Sequence, residues 1–528
     1  MGETTIIAQG EPSRTPDSEA GPSVPATPTL VTRARHLIRQ HLAISILLAL
    51  GAVLRLLFMI AYPPAFWFHG DSGQYIQLAH GALEPHPNRP LGYSALLKLL
   101  QPTGTHLAVV ALQHMISLLF ALGIYVLLQR RGLPRWLSCL AALPLLFDSL
   151  ALTMGHYMLP DLLFTALFAG AVLLLLGPNT PGYPAVIGSG LLIVAAWITK
   201  PTALPVALLL GLYLLARRVG WRRLVGYALA VLVPYVSMIV WIGDRQSVYG
   251  AQSATALYGR TAIIADCDHL RLTPDERIAC PDQPLGERWD RADAFFWRRP
   301  ARLGDVTSEA GSQRLVNFSM AVLRQQPLDY LGVVAKESAA HFVPGLYLGP
   351  MNECLRERLV PPVQFRGPGR VTDRCPPAQA SPNFGGGATW PGTAPGATPL
   401  TKALHHYGEF FRLGPVVLLI GLLLTVGAFV ARRRRDVGRG SRARVDGRIR
   451  LDLLLLALAG PGLTVLTVMV GMYEPRYALP ALPLSAVAAV LAWHGLRTPP
   501  GGTSIAAIPG PRGQGITESE PVPAGQAS

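Results

Sequence analysis

The chain has 528 residues, half of them apolar and only 15% charged, with a formal net charge of +15. A soluble domain averages about 25% charged residues, so a soluble globular fold is excluded. Nucleic-acid binding is excluded too: most arginines sit in short segments beside apolar blocks, where they set membrane orientation, and no basic patch alternates with aromatics in a polar segment.

Residues 1–38 are rich in Ser, Thr, Pro and Gly without an apolar core. They read as a disordered cytoplasmic tail and not as a signal peptide. The first apolar block, Ala43 to Tyr62, is long and has no small-residue cleavage site after it, so it stays in the protein. Apolar blocks of about 18 to 22 residues can cross a ~30 Å hydrocarbon core. In lipid each must close its own backbone hydrogen bonds, which makes it a helix. Ten helices are expected, at 42–62, 106–128, 136–154, 160–177, 184–199, 201–216, 223–243, 413–431, 451–472 and 478–496. The stretch 184–216 is read as two helices broken at Lys200-Pro201, because proline removes a helix hydrogen bond and lysine is costly in lipid.

Charge then sets the topology. With the N-terminus inside, the inner segments hold Arg33, Arg35 and Arg39, then Arg130, Arg131 and Arg135, then Arg217, Arg218 and Arg222, then nine arginines from Arg432 to Arg450. The short outer loops hold Arg89, Lys98, Lys200 and Arg476. The positive-inside rule holds throughout. The expected organisation is an all-α polytopic membrane protein. Its core at 39–243 carries a first outer loop at 63–105. A large mixed outer loop follows at 244–412, then helices within 413–496 and a disordered cytoplasmic tail at 497–528. Both termini are inside.

Cys139 lies in a helix, whereas Cys267, Cys280, Cys354 and Cys375 lie in the large loop. Four cysteines on the oxidising side favour two disulfides, most simply Cys267–Cys280 and Cys354–Cys375, although three pairings are open. Residues 308–324 and 328–341 look helical, and the Gly/Pro-rich run at 380–400 reads as loop.

Chemistry-bearing residues cluster at outer helix ends. The run Phe68-His69-Gly70-Asp71-Ser72-Gly73-Gln74-Tyr75 puts a carboxylate at the membrane surface, before a short amphipathic helix with Tyr75, Leu78 and Ala79 on one face. Asn88-Arg89-Pro90-Leu91-Gly92-Tyr93 follows. Asp161 opens a helix, where the dipole favours an anion, and His156 is close by. Lys200 is one of four lysines against 42 arginines; a lysine between two apolar blocks is a functional candidate by default. Glu474, Arg476 and Tyr477 occupy a very short outer turn, where Arg476 can bind phosphate oxygens bidentately.

Together these features resemble the membrane glycosyltransferases of the GT-C type, within the protein mannosyltransferase and aminoarabinose-transferase-like branch. The likeness rests on Gly70-Asp71-Ser72-x-x-Tyr75 with Ala79, Arg89-Pro90-x-Gly92-Tyr93, Thr199-Lys200-Pro201 and Glu474-x-Arg476-Tyr477-x-x-Pro480-x-x-Pro483. It covers about residues 42 to 496. It implies a transferase that takes a sugar from a polyprenyl-phosphate donor to a cell-envelope acceptor: a glycan, a lipid or a protein. By that resemblance Asp71 is the base and Asp161 a second catalytic acidic group. Lys200 and Arg476 hold the donor phosphate, and Tyr75, Arg89, Tyr93, Glu474 and Tyr477 line the substrate. Some relatives use a divalent metal cation here, for which Asp71, Asp161 and His156 could supply ligands. Where many protein mannosyltransferases carry two adjacent acidic residues, this chain has Asp71-Ser72, which leaves the acceptor open. The competing class is a multi-pass transporter or lipid flippase, which would bury ionisable residues mid-helix. Asp148 alone stands as an acidic residue well inside an apolar block.

Overall fold

A computed structural model describes residues 2, 39–68, 70–86, 89–243, 246–288, 292–297, 299–344, 352–365, 378–381, 397–438 and 447–497. Both tails, His69, Asn88, Cys375 and most of the 380–400 run lie outside the described residues.

All ten expected stretches form helices. The chain begins with α1 (Leu42–Ala61), the two-residue strand β1 (Phe66–Trp67), α2 (Ser72–His80) and α3 (Leu91–Leu100). It continues through α4 (His106–Arg130), α5 (Arg135–Phe147), α6 (Ser149–His156), α7 (Asp161–Leu174), α8 (Tyr183–Thr199), α9 (Leu204–Ala216) and α10 (Trp221–Ile242). Along α1 the apolar side chains Leu42, Ile46, Leu50, Val53, Leu56 and Ile60 are exposed on one face, while Ile44, Gly51, Arg55 and Phe58 are buried on the other. An exposed apolar stripe that long is tolerable only against lipid. The chain is a multi-pass membrane protein.

Length and composition support part of the expected count of ten crossings. Five stretches are long and apolar enough to cross: Leu42–Ala61, His106–Arg130, Trp221–Ile242, Pro399–Val430 and Arg448–Val470. The α5–α6 pair, bent by 48°, makes a sixth if it is one span. The others form as helices of 10–17 residues. At 1.5 Å per residue the 14 residues of α7 reach only about 21 Å, short of the hydrocarbon thickness.

The large loop is mainly helical in its described parts, with one short strand. It carries α11 (Gln246–Ala262), the single turn α12 (Pro274–Arg277), α13 (Ala292–Trp297), α14 (Glu309–Gln325), α15 (Pro327–Ala340), α16 (Asn352–Leu359), the strand β2 (Gln379–Ala380) and the start of α17 (Pro399–Phe410). It has its own core around Tyr258, Phe295, Leu315 and Phe318. Cys267 and Cys280 are bonded as expected, and Cys354 is also in a disulfide. The chain closes with α18 (Gly414–Gly438), α19 (Gly447–Ala459), α20 (Pro461–Val470) and α21 (Ala481–Arg497), with α18 packed along α21.

The mid-bundle ionisable groups have structural partners. Asp148 accepts from Ala151 N at the start of α6 and from Leu413 N and Gly414 N at the start of α18. It satisfies orphan donors of two helices with one carboxylate. Arg55 donates to the carbonyls of Gly51, Leu145 and Leu146 and to Ser117, holding the break after α5. Asp452 accepts from Arg131, Arg217 and Tyr213 at the arginine-rich end of the bundle.

β1 positions the opposite end. It pairs antiparallel with β2, and Phe66 O accepts from Met158 N at 3.0 Å. Ser72 Oγ donates to Met158 O at 3.0 Å. The loop that carries Asp71 is thereby fastened to the loop that ends at Asp161.

Candidate active site

Asp71 follows a turn at Gly70, whose φ of +85° suits a residue without a Cβ. It holds the N-cap position of α2, yet its side chain caps nothing. Its Oδ1 accepts from Arg89 Nη2 at 2.5 Å and its Oδ2 from Arg476 Nη2 at 3.0 Å. A capping contact worth about 1 kcal/mol is given up for two ion pairs at the site.

Arg89 lies 5.7 Å from the Tyr75 ring centroid, and Tyr75 stands edge-on to Tyr93. Tyr93 is fully buried and donates its hydroxyl to Gln113 Oε1 at 3.1 Å. Gln113 in turn donates to Gly155 O and Tyr157 O. Tyr93 is thereby held inside the fold through Gln113.

Asp161 opens α7 and is 1% exposed. Its Oδ1 accepts from Lys200 Nζ at 2.6 Å. Its Oδ2 has no hydrogen-bond donor and meets Arg476 Nη1 at 3.8 Å. Lys200 sits at the break between α8 and a 3-10 turn, Pro201–Ala203, as the Lys-Pro pair implies. It faces the rings of Phe164 and Tyr477. Gly92 brings α3 against this break: a Cβ there would lie 2.7 Å from Thr199 Oγ1 and 3.1 Å from the Ile198 carbonyl.

Arg476 lies in the 3-10 turn Pro475–Ala478. Its guanidinium stacks 4.4 Å over Phe68, and its Nε is 3.8 Å from Glu474 Oε1. Burial alone would lower its pKa, but Asp71 and Asp161 outweigh that and hold it well above the ordinary value. Burial pushes the Asp71 carboxyl up, yet Arg476 and Arg89 overcome it and hold the carboxyl below the usual range. For Lys200, burial wins over Asp161 and lowers the ammonium.

The structure brings Asp71, Arg89, Asp161, Lys200, Glu474, Arg476 and Tyr477 together at the end of the bundle that carries the 244–412 segment. His156 is not part of the group. Its Nε2 lies 2.7 Å from Tyr62 O and its Nδ1 3.3 Å from His114. Among the described residues no three His, Cys, Asp or Glu side chains converge to hold a metal. The donor set argues the same way, because each carboxylate is already met by two cations. A divalent ion on Asp71, Asp161 and His156 does not fit, and no chemistry is routed through one. Phe68 and Gln113 escaped the sequence reading. Gln113 left a signal, as an amide next to His114 within a largely apolar helix; Phe68 left none beyond its place near Asp71.

No protein-family model matches the chain, and no curated protein matches it. Among solved structures the chain is similar to the crystal structure of ArnT from Cupriavidus metallidurans in the apo state. That match covers 88% of this chain and 78% of the other, at 13% identity and a TM-score of 0.31.

Proposed function

We propose that this protein is a membrane glycosyltransferase of the GT-C type, moving a sugar from a polyprenyl-phosphate donor to an acceptor hydroxyl on the outer face of the membrane. The observation that carries the reading is the shared guanidinium of Arg476, held between Asp71 and Asp161 and beside Lys200. A buried guanidinium and a half-buried ammonium at one end of a membrane bundle suit a lipid phosphate, and a carboxylate within 3.0 Å of the guanidinium suits a proton acceptor. The arginine distribution supports placing both termini in the cytoplasm and this end outside.

In this reading Asp71 takes the proton of the acceptor hydroxyl. The acceptor oxygen attacks the anomeric carbon, and the bond from that carbon to the phosphate oxygen breaks with inversion. The electron pair leaves on the lipid phosphate, where Arg476 and Lys200 offset the charge. Asp71 suits the base because its side chain is 21% exposed, against 1% for Asp161 and 2% for Glu474. A carboxylate held below its usual range is a weak base, and donor binding corrects this. When the phosphate engages Arg476, the guanidinium's hold on Asp71 weakens and the carboxylate becomes a stronger proton acceptor. Asp161 keeps Lys200 in place. The transporter or flippase reading is less well supported, because Arg55, Asp148 and Asp452 each have structural partners.

The test is Asp71→Asn in membranes supplied with a radiolabelled polyprenyl-phosphate sugar. Transfer is expected to fall by about 10²–10⁴-fold. Transfer at the wild-type rate would remove Asp71 as the base.

A further inference from the structure

The turn that carries Arg476 is held from outside the site. Arg260 on α11 is 0% exposed and Glu337 on α15 is 5% exposed. Arg260 Nη1 and Nη2 meet Glu337 Oε1 and Oε2 at 2.9 and 2.6 Å, a bidentate pair. Neither group stops there. Arg260 Nε donates to Gly471 O at 2.8 Å, just past the C-terminus of α20, where helix carbonyls lack partners. Glu337 Oε2 accepts from Tyr473 N at 2.7 Å. The His341 ring packs 4.7 Å from the Tyr473 ring, and Tyr330 donates its hydroxyl to Met469 O.

From Tyr473 to Arg476 is three residues, a tether of about 10 Å at most, and Pro475 fixes one of its dihedrals. A pair that pins Gly471 and Tyr473 therefore restricts where the Arg476 guanidinium can be. We propose that Arg260 and Glu337 are positioning residues, through which the 244–412 segment sets the placement of Arg476 for the lipid phosphate. This rests on the transferase reading for its ligand, but not for its geometry. The bland competitor is that the pair merely fastens α11 to α15.

Two variants separate these roles in the full chain in lipid nanodiscs. In Glu337→Gln the charge that strengthens both contacts is lost, and the new NH2 donor faces either Arg260 or the Tyr473 N–H. The exchanged pair, Arg260→Glu with Glu337→Arg, restores the fastening but turns a carboxylate toward Gly471 O and a guanidinium toward Tyr473 N. Amide hydrogen exchange over residues 472–477 is expected to speed up at least tenfold in both, with decaprenyl phosphate binding about tenfold weaker. Exchange over 472–477 as slow as wild type in Glu337→Gln would overturn the proposal. So would wild-type exchange and affinity in the exchanged pair, since fastening alone would then suffice. Should the exchanged pair not fold, Glu337→Gln decides by its local exchange. A wild-type protein that does not bind decaprenyl phosphate would sink the transferase reading, while the exchange arm still decides the positioning role.

Discussion

Asp71 and Arg476 lie 405 positions apart in the chain and 3.0 Å apart in space. Arg476 also faces Asp161, so one guanidinium balances two carboxylates. Arg476→Lys keeps the charge but loses the planar fork that reaches both. Transfer is expected to drop by about 10²–10³-fold, the cost of removing one preorganised donor. A kinetic assay on purified protein checks this, and transfer within a few-fold of wild type would contradict it.

The pH dependence follows from the same pair. The Asp71 carboxyl is held below the usual range, so its ion pairs stabilise the fold above the unfolded pKa of about 3.9. That stability is lost as pH falls through the lower folded value. Asp71→Asn should therefore melt below wild type at pH 7, and the gap should close on acidification below about pH 4. In activity, the acid limb for the donor-free enzyme is expected below about 3.9, and that for the donor-loaded enzyme higher. A pH–rate profile of both decides; identical limbs would contradict release of Arg476 by the donor.

Lys200, half-buried, pairs with the buried Asp161 at 2.6 Å. Lys200→Met leaves the Asp161 carboxylate short of its hydrogen-bonded cation, a loss of roughly 3–5 kcal/mol. Adding Asp161→Leu should recover most of the stability and none of the transfer. Thermal melts and transfer assays on the three variants measure both. Recovery of transfer in the double variant would show the pair to be structural.

Gly92 lets α3 approach the Lys200 break. Gly92→Ala drives a Cβ toward the Ile198 carbonyl and Thr199 Oγ1, so backbone has to move. A destabilisation of about 1–3 kcal/mol is expected, together with a raised KM for the lipid donor. Crowding without any change in KM would show that the contact does not place Lys200.

Asp148 caps two helices at once. Asp148→Ala is expected to lower stability by about 2 kcal/mol or more, with activity falling only as folded protein is lost. Loss of activity in fully folded protein would show that Asp148 serves the reaction and not the two caps alone.

Much of this architecture was legible in the sequence. The break at Lys200-Pro201, the short helix after Asp71 and the Cys267–Cys280 bond are where composition and spacing put them. The bend that splits 136–154 into two helices was not, because the apolar pattern runs on past Asp148. His156 misled the reading because nearness along the chain was taken for nearness in space. Nothing local says that the Tyr93 hydroxyl turns inward to Gln113.

Apolar block length and the run of arginines are one-dimensional properties that lipid itself reads. They therefore determined helices, their ends and the gathering of charge at one end. Which carboxylate meets which cation depends on residues from 18 to 405 positions apart, and only packing brings them together. Lys200 on Asp161, Arg476 between two acids, and Glu337 on the amide of Tyr473 were decided by tertiary structure, because ion pairing follows distance in space and leaves no local trace in the chain.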